Sequence, residues 1–296
     1  MKKILCFLTA LLLLFPALAG AETLVASFYP VWLLARNLTE GLEGVEVVCL
    51  ADPSVGGCLH DYSLQNSDMV VLSGADALLV NGSGMESFLP VITGAWPDLP
   101  VIDATEGLPF LSEGDVVEIG EPEEGEEVNS HLWMDPQRAV GMAANIADGL
   151  IRLMPGQEAR ITANLEQLRD RFLALDETLR EGLSGAGRRV IIFHEAFPYF
   201  TEACGLSAAA VVNKEPEDDL SSAALARILS LIGGMDPLPV IIKSAEPDRS
   251  VDVLTAETGV PVCELDPLTS GPADPPSDYY ESVMVLNMQK LMDAMK

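Results

Sequence analysis

A long apolar stripe in the middle of the chain sets the first constraint on the fold. Between Ile161 and Leu183, seven large apolar side chains recur at intervals of three or four residues. This spacing places them on one face of an α-helix. At about 1.5 Å per residue such a helix is about 40 Å long, which is enough to cross a whole domain. Three glycines lie at or just beyond its end, at 182, 185 and 187. We therefore expect one rigid helix over 154–186 that joins two parts of the molecule.

Short apolar segments alternate with amphipathic segments on both sides of this stripe, a pattern typical of parallel sheets covered by helices. The apolar segments begin at Leu24, Val45, Ala77, Pro100, Val190, Ala208, Val240 and Val262. We therefore predict an α/β fold with two lobes, residues 22–153 and 187–296. Each lobe should contain a parallel sheet, and the long helix should bridge them.

The first 21 residues have the layout of a cleavable export signal. Two lysines precede an apolar run from Ile4 to Leu18, and small residues follow it. The run is short for a membrane span of about 20 residues. Cys6 lies near the start of the run rather than just after a cleavage site, so we expect no lipid anchor at that position. We predict cleavage near Ala19 or Ala21 and export to the periplasm or an equivalent extracytoplasmic space.

The chain is strongly acidic, and this charge limits its partners. It contains 17 lysine and arginine residues against 45 aspartate and glutamate residues, giving a formal charge of −28 at pH 7. Such a charge repels nucleic-acid phosphates and anionic lipid headgroups, so we expect no nucleic acid and no membrane surface as a partner. Positively charged partners and metal cations both remain open as partners. The segment 113–127 contains eight acidic residues and no basic residue, which predicts a solvated surface loop.

Four cysteines lie beyond the signal segment: Cys49, Cys58, Cys204 and Cys263. In an exported protein an even number permits disulfides, and four cysteines allow three different pairings. Cys49 and Cys58 flank a short loop and are the favoured pair, whereas Cys204 and Cys263 are expected as buried free thiols. No C-x-x-C spacing supports a zinc site built from cysteines.

The three histidines of the chain lie where the predicted fold would place a ligand. His194 directly follows the apolar strand that begins at Val190, and Asp266 follows the strand that begins at Val262. Ligands collect at the carboxyl ends of parallel strands. His60 and His131 lie in loops of the first lobe. Two side chains from each lobe would then meet in the cleft between the lobes.

Three imidazoles and one carboxylate form a ligand set suited to Zn²⁺, with manganese, iron or cobalt as other occupants. For each histidine taken alone, a hydrogen-bonded structural role is the ordinary alternative. Asp266 is followed by Pro267, and an Asp-Pro pair alone also indicates a simple turn.

The same segments resemble those of the zinc and manganese solute-binding proteins of ATP-binding-cassette importers. The resemblance covers essentially the whole chain after the signal segment, and its ordered motifs include Ser27-Phe28-Tyr29-Pro30, His60-Asp61-Tyr62, His131-Leu132-Trp133-Met134-Asp135-Pro136, Phe193-His194-Glu195-Ala196-Phe197, Ala245-Glu246-Pro247 and Leu265-Asp266-Pro267-Leu268. It implies two α/β lobes bridged by one long helix. It also implies a receptor that passes a divalent metal to a membrane permease, and the metal ligands His60, His131, His194 and Asp266. We expect the receptor to be a monomer.

The resemblance favours zinc as the metal. Members of this family with a glutamate at the position of His194 resemble manganese receptors, whereas those with a histidine look like zinc receptors. Imidazole is also the better donor for Zn²⁺. Many zinc receptors carry a histidine-rich loop before the second ligand, however, and the segment 113–127 contains no histidine. Manganese, or both metals, is therefore the alternative.

Acidic residues beside the ligand motifs are candidates for orienting the imidazoles, or else ordinary surface acids: Asp61, Glu195 and Glu246. A secreted zinc hydrolase is a second functional hypothesis, since such enzymes leave one zinc position open for water. Four protein ligands and the absence of an H-E-x-x-H pair argue against it, so we predict no catalytic residue and no enzyme. An adhesin on the same scaffold is a third hypothesis.

Overall fold

The computed structural model describes residues 22–54, 62–111, 117–119, 128–187, 189–212 and 220–296. The predicted signal segment, Cys58, His60, Asp61 and most of the acidic segment lie outside these ranges. Within them, no helix has both the length and the apolar character needed to cross a bilayer.

The first lobe is built on a parallel sheet. In the part of the chain that is described, its strands are β1 (Glu22–Ala26), β2 (Val45–Cys49), β3 (Ala77–Val80) and β4 (Val101–Asp103), in the order β2-β1-β3-β4. Its helices are α1 (Tyr29–Leu38), α2 (Asn66–Leu72), α3 (Leu89–Ala95) and α4 (Pro136–Leu153). The strands agree with the predicted apolar segments, whereas α3 and α4 were not predicted.

The second lobe contains a second parallel sheet. Its described strands are β5 (Val117–Ile119), β6 (Val190–Phe193), β7 (Ala208–Val212), β8 (Val240–Lys243) and β9 (Val262–Glu264), in the order β5-β7-β6-β8-β9. The helices are α6 (Phe197–Ala203), α7 (Ser222–Gly233), α8 (Arg249–Thr258) and α9 (Tyr279–Ala294).

Strand β5 corrects the prediction of a loop throughout 113–127. Val117 and Ile119 pair with Ala210 and Val212 of β7, so a segment that precedes the long helix completes the sheet that follows it. Ile119 is buried there, and β-branched side chains of this kind pack well on a pleated, half-buried surface. The acidic residues around it hid this short strand in the sequence.

The long helix is α5 (Glu158–Gly182), and it confirms the predicted rod. Its apolar stripe is buried at Ile161, Leu168, Phe172 and Leu179. The helix contacts α1 and α4 as well as α6 and α9. Elements on both sides of the rod therefore pack against one continuous surface.

Two apolar cores lie on opposite faces of the second sheet, because side chains alternate along each strand. Val190, Ile192 and Ile242 belong to a core that also contains buried side chains of the first lobe and of α5. This core is here called the shared core. Ile191 and Ile241 belong to a separate core beneath α7 and α8, here called the outer core.

The described cysteines are free thiols. Cys49 is a free thiol, and Cys58, its favoured partner in the prediction, lies outside the described residues. Cys204 and Cys263 are buried free thiols, as predicted. Burial raises the pKa of Cys49 to about 12 and that of Cys263 to about 11. Both thiols therefore stay protonated at neutral pH.

Candidate metal centre

The parallel strands of the second sheet bring two predicted ligands to the same edge. Phe193 of β6 pairs with Lys243 of β8, and Lys243 pairs with Glu264 of β9. His194 directly follows β6, and Asp266 lies two residues beyond β9. Both predicted ligands of this lobe thus follow the carboxyl ends of strands, where ligands of open α/β sheets bind.

His131 is held in one orientation by Asn129. It is 2% exposed and immediately precedes a 3-10 helix over Leu132–Met134. The side-chain oxygen Oδ1 of Asn129 lies 3.0 Å from both the backbone N and the Nδ1 of His131. An amide oxygen can only accept, so Nδ1 carries the ring proton. The lone pair of the neutral imidazole is consequently on Nε2, as metal coordination through that atom requires.

His194 is held by its own backbone. The N–H of Ala196 donates to Nδ1 of His194 at 3.1 Å. The accepting Nδ1 has no proton in this contact, so the neutral ring carries its proton on Nε2. These two contacts therefore favour opposite tautomers for His131 and His194.

The two histidines come from different lobes, and the edge of one ring points toward the face of the other. Their ring centroids are 6.1 Å apart, with an angle of 77° between the ring planes. Asn129 also bridges the two segments, because its Nδ2 donates to the backbone oxygen of Glu195 at 2.7 Å. Among the described residues, no group of three or more His, Cys, Asp or Glu side chains is close enough to hold a metal. His60, the fourth predicted ligand, is not described.

Asp266 is fixed in a tight turn. Its Oδ1 accepts the N–H of Leu268 at 2.7 Å, and Leu268 has a φ of 61°, which is unusual for a residue with a branched side chain. The amide of Asn287 accepts the N–H of Asp266 and donates to its carbonyl. Burial raises the pKa of the Asp266 carboxyl, while the bond from Leu268 and the charge of Lys290 act in the opposite direction.

Trp133 joins the His131 segment to the Asp266 segment. Its Nε1 donates to the carbonyl of Pro267 at 2.9 Å, and its ring centroid lies 4.9 Å from that of His131. Phe28 packs edge-on against Trp133 at 5.1 Å, and the Tyr280 hydroxyl donates to the Trp133 carbonyl at 2.6 Å. The turn that bears Asp266 is therefore tied to the first lobe through Trp133.

A buried carboxylate supports the His131 segment from the first sheet. Glu86 is 5% exposed and accepts hydrogen bonds from the Ser27 hydroxyl and from the backbone N–H groups of Asn81 and Gly82, at 2.6–3.0 Å. Asn81 in turn donates to the carbonyl of Ser130, next to His131. Burial raises the pKa of Glu86, and its three hydrogen bonds act in the opposite direction.

A buried ammonium performs a similar task at the edge of the second sheet. Nζ of Lys243 lies 2.9 Å from the carbonyl of Ser244, 2.8 Å from that of Glu246 and 3.1 Å from a carboxylate oxygen of Glu264. Three acceptors match the three protons of the ammonium. They hold the loop after β8, between the strands that precede His194 and Asp266.

The predicted orienting acids have different surroundings. Glu246 is exposed, and its side chain accepts a hydrogen bond from the Ser244 hydroxyl rather than from an imidazole. Glu195 meets Asn129 through its backbone carbonyl. Asp61 lies outside the described residues. The residue that orients His131 is Asn129, and its position two residues before the histidine is the spacing of an Asx turn.

Known proteins resemble this chain over most of its length. A family model described as zinc-uptake complex component A, periplasmic, matches residues 24–294. The zinc-binding lipoprotein AdcA of Streptococcus pneumoniae is 25% identical, over 98% of this chain and 60% of its own length. This chain therefore spans about three fifths of that relative. The high-affinity zinc uptake system protein ZnuA of Yersinia pestis is 27% identical, over 89% of this chain and 88% of its own length.

A solved structure shares the fold. The SBP FpvC of Pseudomonas aeruginosa in complex with Mn²⁺ superposes with a TM-score of 0.79 at 24% identity, covering 93% of this chain and 99% of that chain. At this identity the likeness speaks for the two-lobed architecture. Because the family model covers nearly all of the sequence after the predicted signal segment, this chain belongs to the family of zinc-uptake complex component A, periplasmic.

Proposed function

We propose that this protein is an extracytoplasmic receptor that captures a divalent transition metal, zinc in the first place, and delivers it to the permease of an ATP-binding-cassette importer. The observation that carries the proposal is the pair His131 and His194, which come from different lobes with ring centroids 6.1 Å apart. Both relatives named above are zinc proteins by name. Manganese, which FpvC binds in its solved complex, is the alternative metal.

The proposed ligands are His60, His131, His194 and Asp266. Three neutral imidazoles and one carboxylate suit a tetrahedral Zn²⁺ site. In His131 the ring lone pair is already on Nε2. In His194 a metal on Nε2 has to displace the ring proton and end the contact with Ala196. His131 is therefore the preset ligand and His194 the ligand that adjusts.

Capture should rearrange the ligand loops more than it rotates the lobes. Besides the bond from Trp133 to Pro267, the hydroxyl of Tyr29 donates to the carbonyl of Pro272 at 3.0 Å, and the N–H of Gly271 donates to the carbonyl of Pro53 at 2.9 Å. These bonds tie the chain after Asp266 to the first lobe. A large swing would break all of them, whereas a local change at the ligands would not.

The remaining parts of the proposal concern the protein as a whole. We expect export with cleavage near Ala19 or Ala21, a monomer, and lobes over 22–153 and 187–296 joined by the helix of 154–186. Four protein ligands leave no zinc position open for a reacting water, so we propose no catalytic activity.

Zinc titration of the metal-stripped mature protein tests the proposal. Competition with a chromophoric chelator should give tight binding of one Zn²⁺. Loss of a residue around the ligands already costs about 10- to 100-fold in affinity in known sites, so His131→Ala and His194→Ala should each cost more. Thr178→Ala, on an exposed part of α5, is the control and should bind like wild type. Normal binding by both histidine variants would contradict the proposed site.

The pH dependence gives an independent test. Imidazole has an ordinary pKa of about 6.5, and ligation needs the neutral ring. Zinc affinity should therefore fall between pH 7 and pH 5. The raised pKa of Asp266 acts in the same direction, since a carboxyl that keeps its proton to higher pH must release it to bind. Equal affinity at both pH values would argue against a site with three histidines.

A competition experiment decides between the two metals. His194→Glu replaces a nitrogen donor with a carboxylate, which should lower zinc affinity relative to manganese affinity. Zinc and manganese are titrated against each other in wild type and in the variant. Metal analysis of the protein purified from its own host should find zinc, and manganese alone would favour the alternative.

A further inference from the structure

We infer that Asn129 is the positioning residue for metal capture: it sets the tautomer of His131 and ties that histidine to the His194 segment of the other lobe. The inference rests on the proposed function. Asn129 would touch the ligands and their neighbours rather than the metal.

Both ends of the Asn129 amide are engaged, and this fixes its orientation. Oδ1 accepts from the backbone N–H and from Nδ1 of His131, and Nδ2 donates to the carbonyl of Glu195. The opposite orientation would place the NH₂ group against the backbone N–H of His131 and the amide oxygen against a carbonyl. Neither of those pairs forms a hydrogen bond. The assignment of Oδ1 to the histidine side therefore follows from its neighbours.

The backbone of Asn129 is anchored as well. Its carbonyl accepts the hydroxyl of Tyr199 at 2.7 Å, and the same hydroxyl accepts the N–H of Leu111 at 3.2 Å. Tyr199 is fully buried in α6, which follows the His194 segment. One residue of the first lobe is thus held by the second lobe through both its side chain and its backbone.

This arrangement has a direct consequence for metal binding. With Asn129 in place, the imidazole of His131 already has the tautomer and the orientation that metal binding requires. Residues that fix a metal ligand in this way typically raise metal affinity by about 10- to 100-fold. Without the amide, His131 would lose its fixed tautomer and the link to Glu195 at the same time.

The chain offers a matched control in Asn145. Its Nδ2 donates to the carbonyls of Ala104 and Glu106, both at 2.9 Å, and neither residue belongs to a proposed ligand segment. Asn145→Ala therefore removes amide hydrogen bonds of similar length without touching either histidine. A loss of zinc affinity caused only by reduced stability should appear in both asparagine variants.

The experiment compares Asn129→Ala, Asn129→Asp and Asn145→Ala with wild type. Zinc affinity is measured by chelator competition, the absorption spectrum of bound Co²⁺ reports coordination geometry, and ¹⁵N spectra of histidine-labelled metal-free protein report the His131 tautomer. We expect Asn129→Ala to lose about 10- to 100-fold in zinc affinity, to change the Co²⁺ spectrum and to lose the Nδ1–H form of His131. Asn145→Ala should match wild type in all three.

Asn129→Asp keeps the acceptor for His131 and loses the donor to Glu195. It should preserve the Nδ1–H tautomer and recover part of the zinc affinity, and it decides the matter if Asn129→Ala does not fold. The inference is overturned if the aspartate variant loses that tautomer, or if Asn129→Ala keeps it with unchanged zinc affinity. Equal losses in the Asn129 and Asn145 alanine variants would also overturn it.

The failure of the proposed function would look different. In that case wild type itself would not bind zinc tightly, or His131→Ala would bind it normally. If wild type binds zinc tightly and His131→Ala does not, the proposed function is supported. The Asn129 variants then test the role of Asn129 separately.

Discussion

The two faces of the second sheet show how differently one set of strands is connected to the rest of the molecule. On one face, Ile192 and Ile242 lie in the shared core, which extends into the first lobe. On the other face, Ile191 and Ile241 lie in the outer core under α7 and α8. Residues adjacent in sequence thus have different neighbourhoods. We expect changes in the shared core to reach the proposed metal site, and changes in the outer core to affect stability alone.

The largest effect is expected at Trp133, which lies in the shared core and joins both lobes. Trp133→Ala should destabilise the fold by about 3–5 kcal/mol, as expected for a buried aromatic residue. It should also lower zinc affinity, because His131 and the Asp266 turn both lose a contact. Thermal melts and zinc titration measure the two effects.

Trp133→Phe provides the control for this substitution. It keeps an aromatic ring but loses the donor to the Pro267 carbonyl and part of the buried indole volume, so its stability loss should be about 1–3 kcal/mol, smaller than that of the alanine variant. If neither variant changed zinc affinity, the shared core would not connect to the site through Trp133.

A matched pair of isoleucines tests the comparison directly. Ile192→Ala in the shared core and Ile241→Ala in the outer core remove identical side chains that are both fully buried. Each should cost about 2–5 kcal/mol in the free energy of unfolding. Only Ile192→Ala should also weaken zinc binding. Equal zinc affinities in the two variants would mean that the site is insulated from both faces.

The smallest effect is expected at the start of α7. The Ser221 hydroxyl accepts the N–H of Ala224 at 3.1 Å and caps this helix of the outer core. Ser221→Ala should cost about 0.5–2 kcal/mol and leave zinc affinity unchanged. Ser221→Asp keeps an acceptor and should restore most of the stability. If Ser221→Ala changed the zinc affinity, the outer core would be coupled to the proposed metal site.

The elements that could be predicted from the sequence are those with large side chains at regular spacing. Helix α5 was predicted because its stripe of leucines and Phe172 is uninterrupted. Helix α4 was not predicted, although Met142, Ile146 and Leu150 recur at helical spacing on its buried face and Asp135-Pro136 is typical of a helix start. Alanine and glycine occupy the buried positions between these three side chains. Small residues are needed there: a side chain at Gly149 would lie 2.7 Å from Ile102 of β4. Close packing against β4 explains the glycine, whereas the apolar signal of the helix was present in the sequence.

The candidate site was predictable for the same kind of reason, and only in part. A strand end marks the position of His194, and the structure brings His131 close to it. The supporting residues were less visible. Glu86 binds Ser27 and Asn81, whose proximity depends on the arrangement of β1 and β3 in the sheet. All four residues, His60, His131, His194 and Asp266, stay predictions as metal ligands, and His60 lies outside the described residues.

Strand β5 has a consequence for any attempt to divide the protein. The second lobe cannot be produced as a continuous fragment that begins after α5, because one edge strand of its sheet comes from residues 117–119. A fragment that ends before β6 would carry this strand without its partner β7. Recombinant work on single lobes should therefore start from a circularly permuted chain or from two co-expressed pieces that together contain β5 and β7.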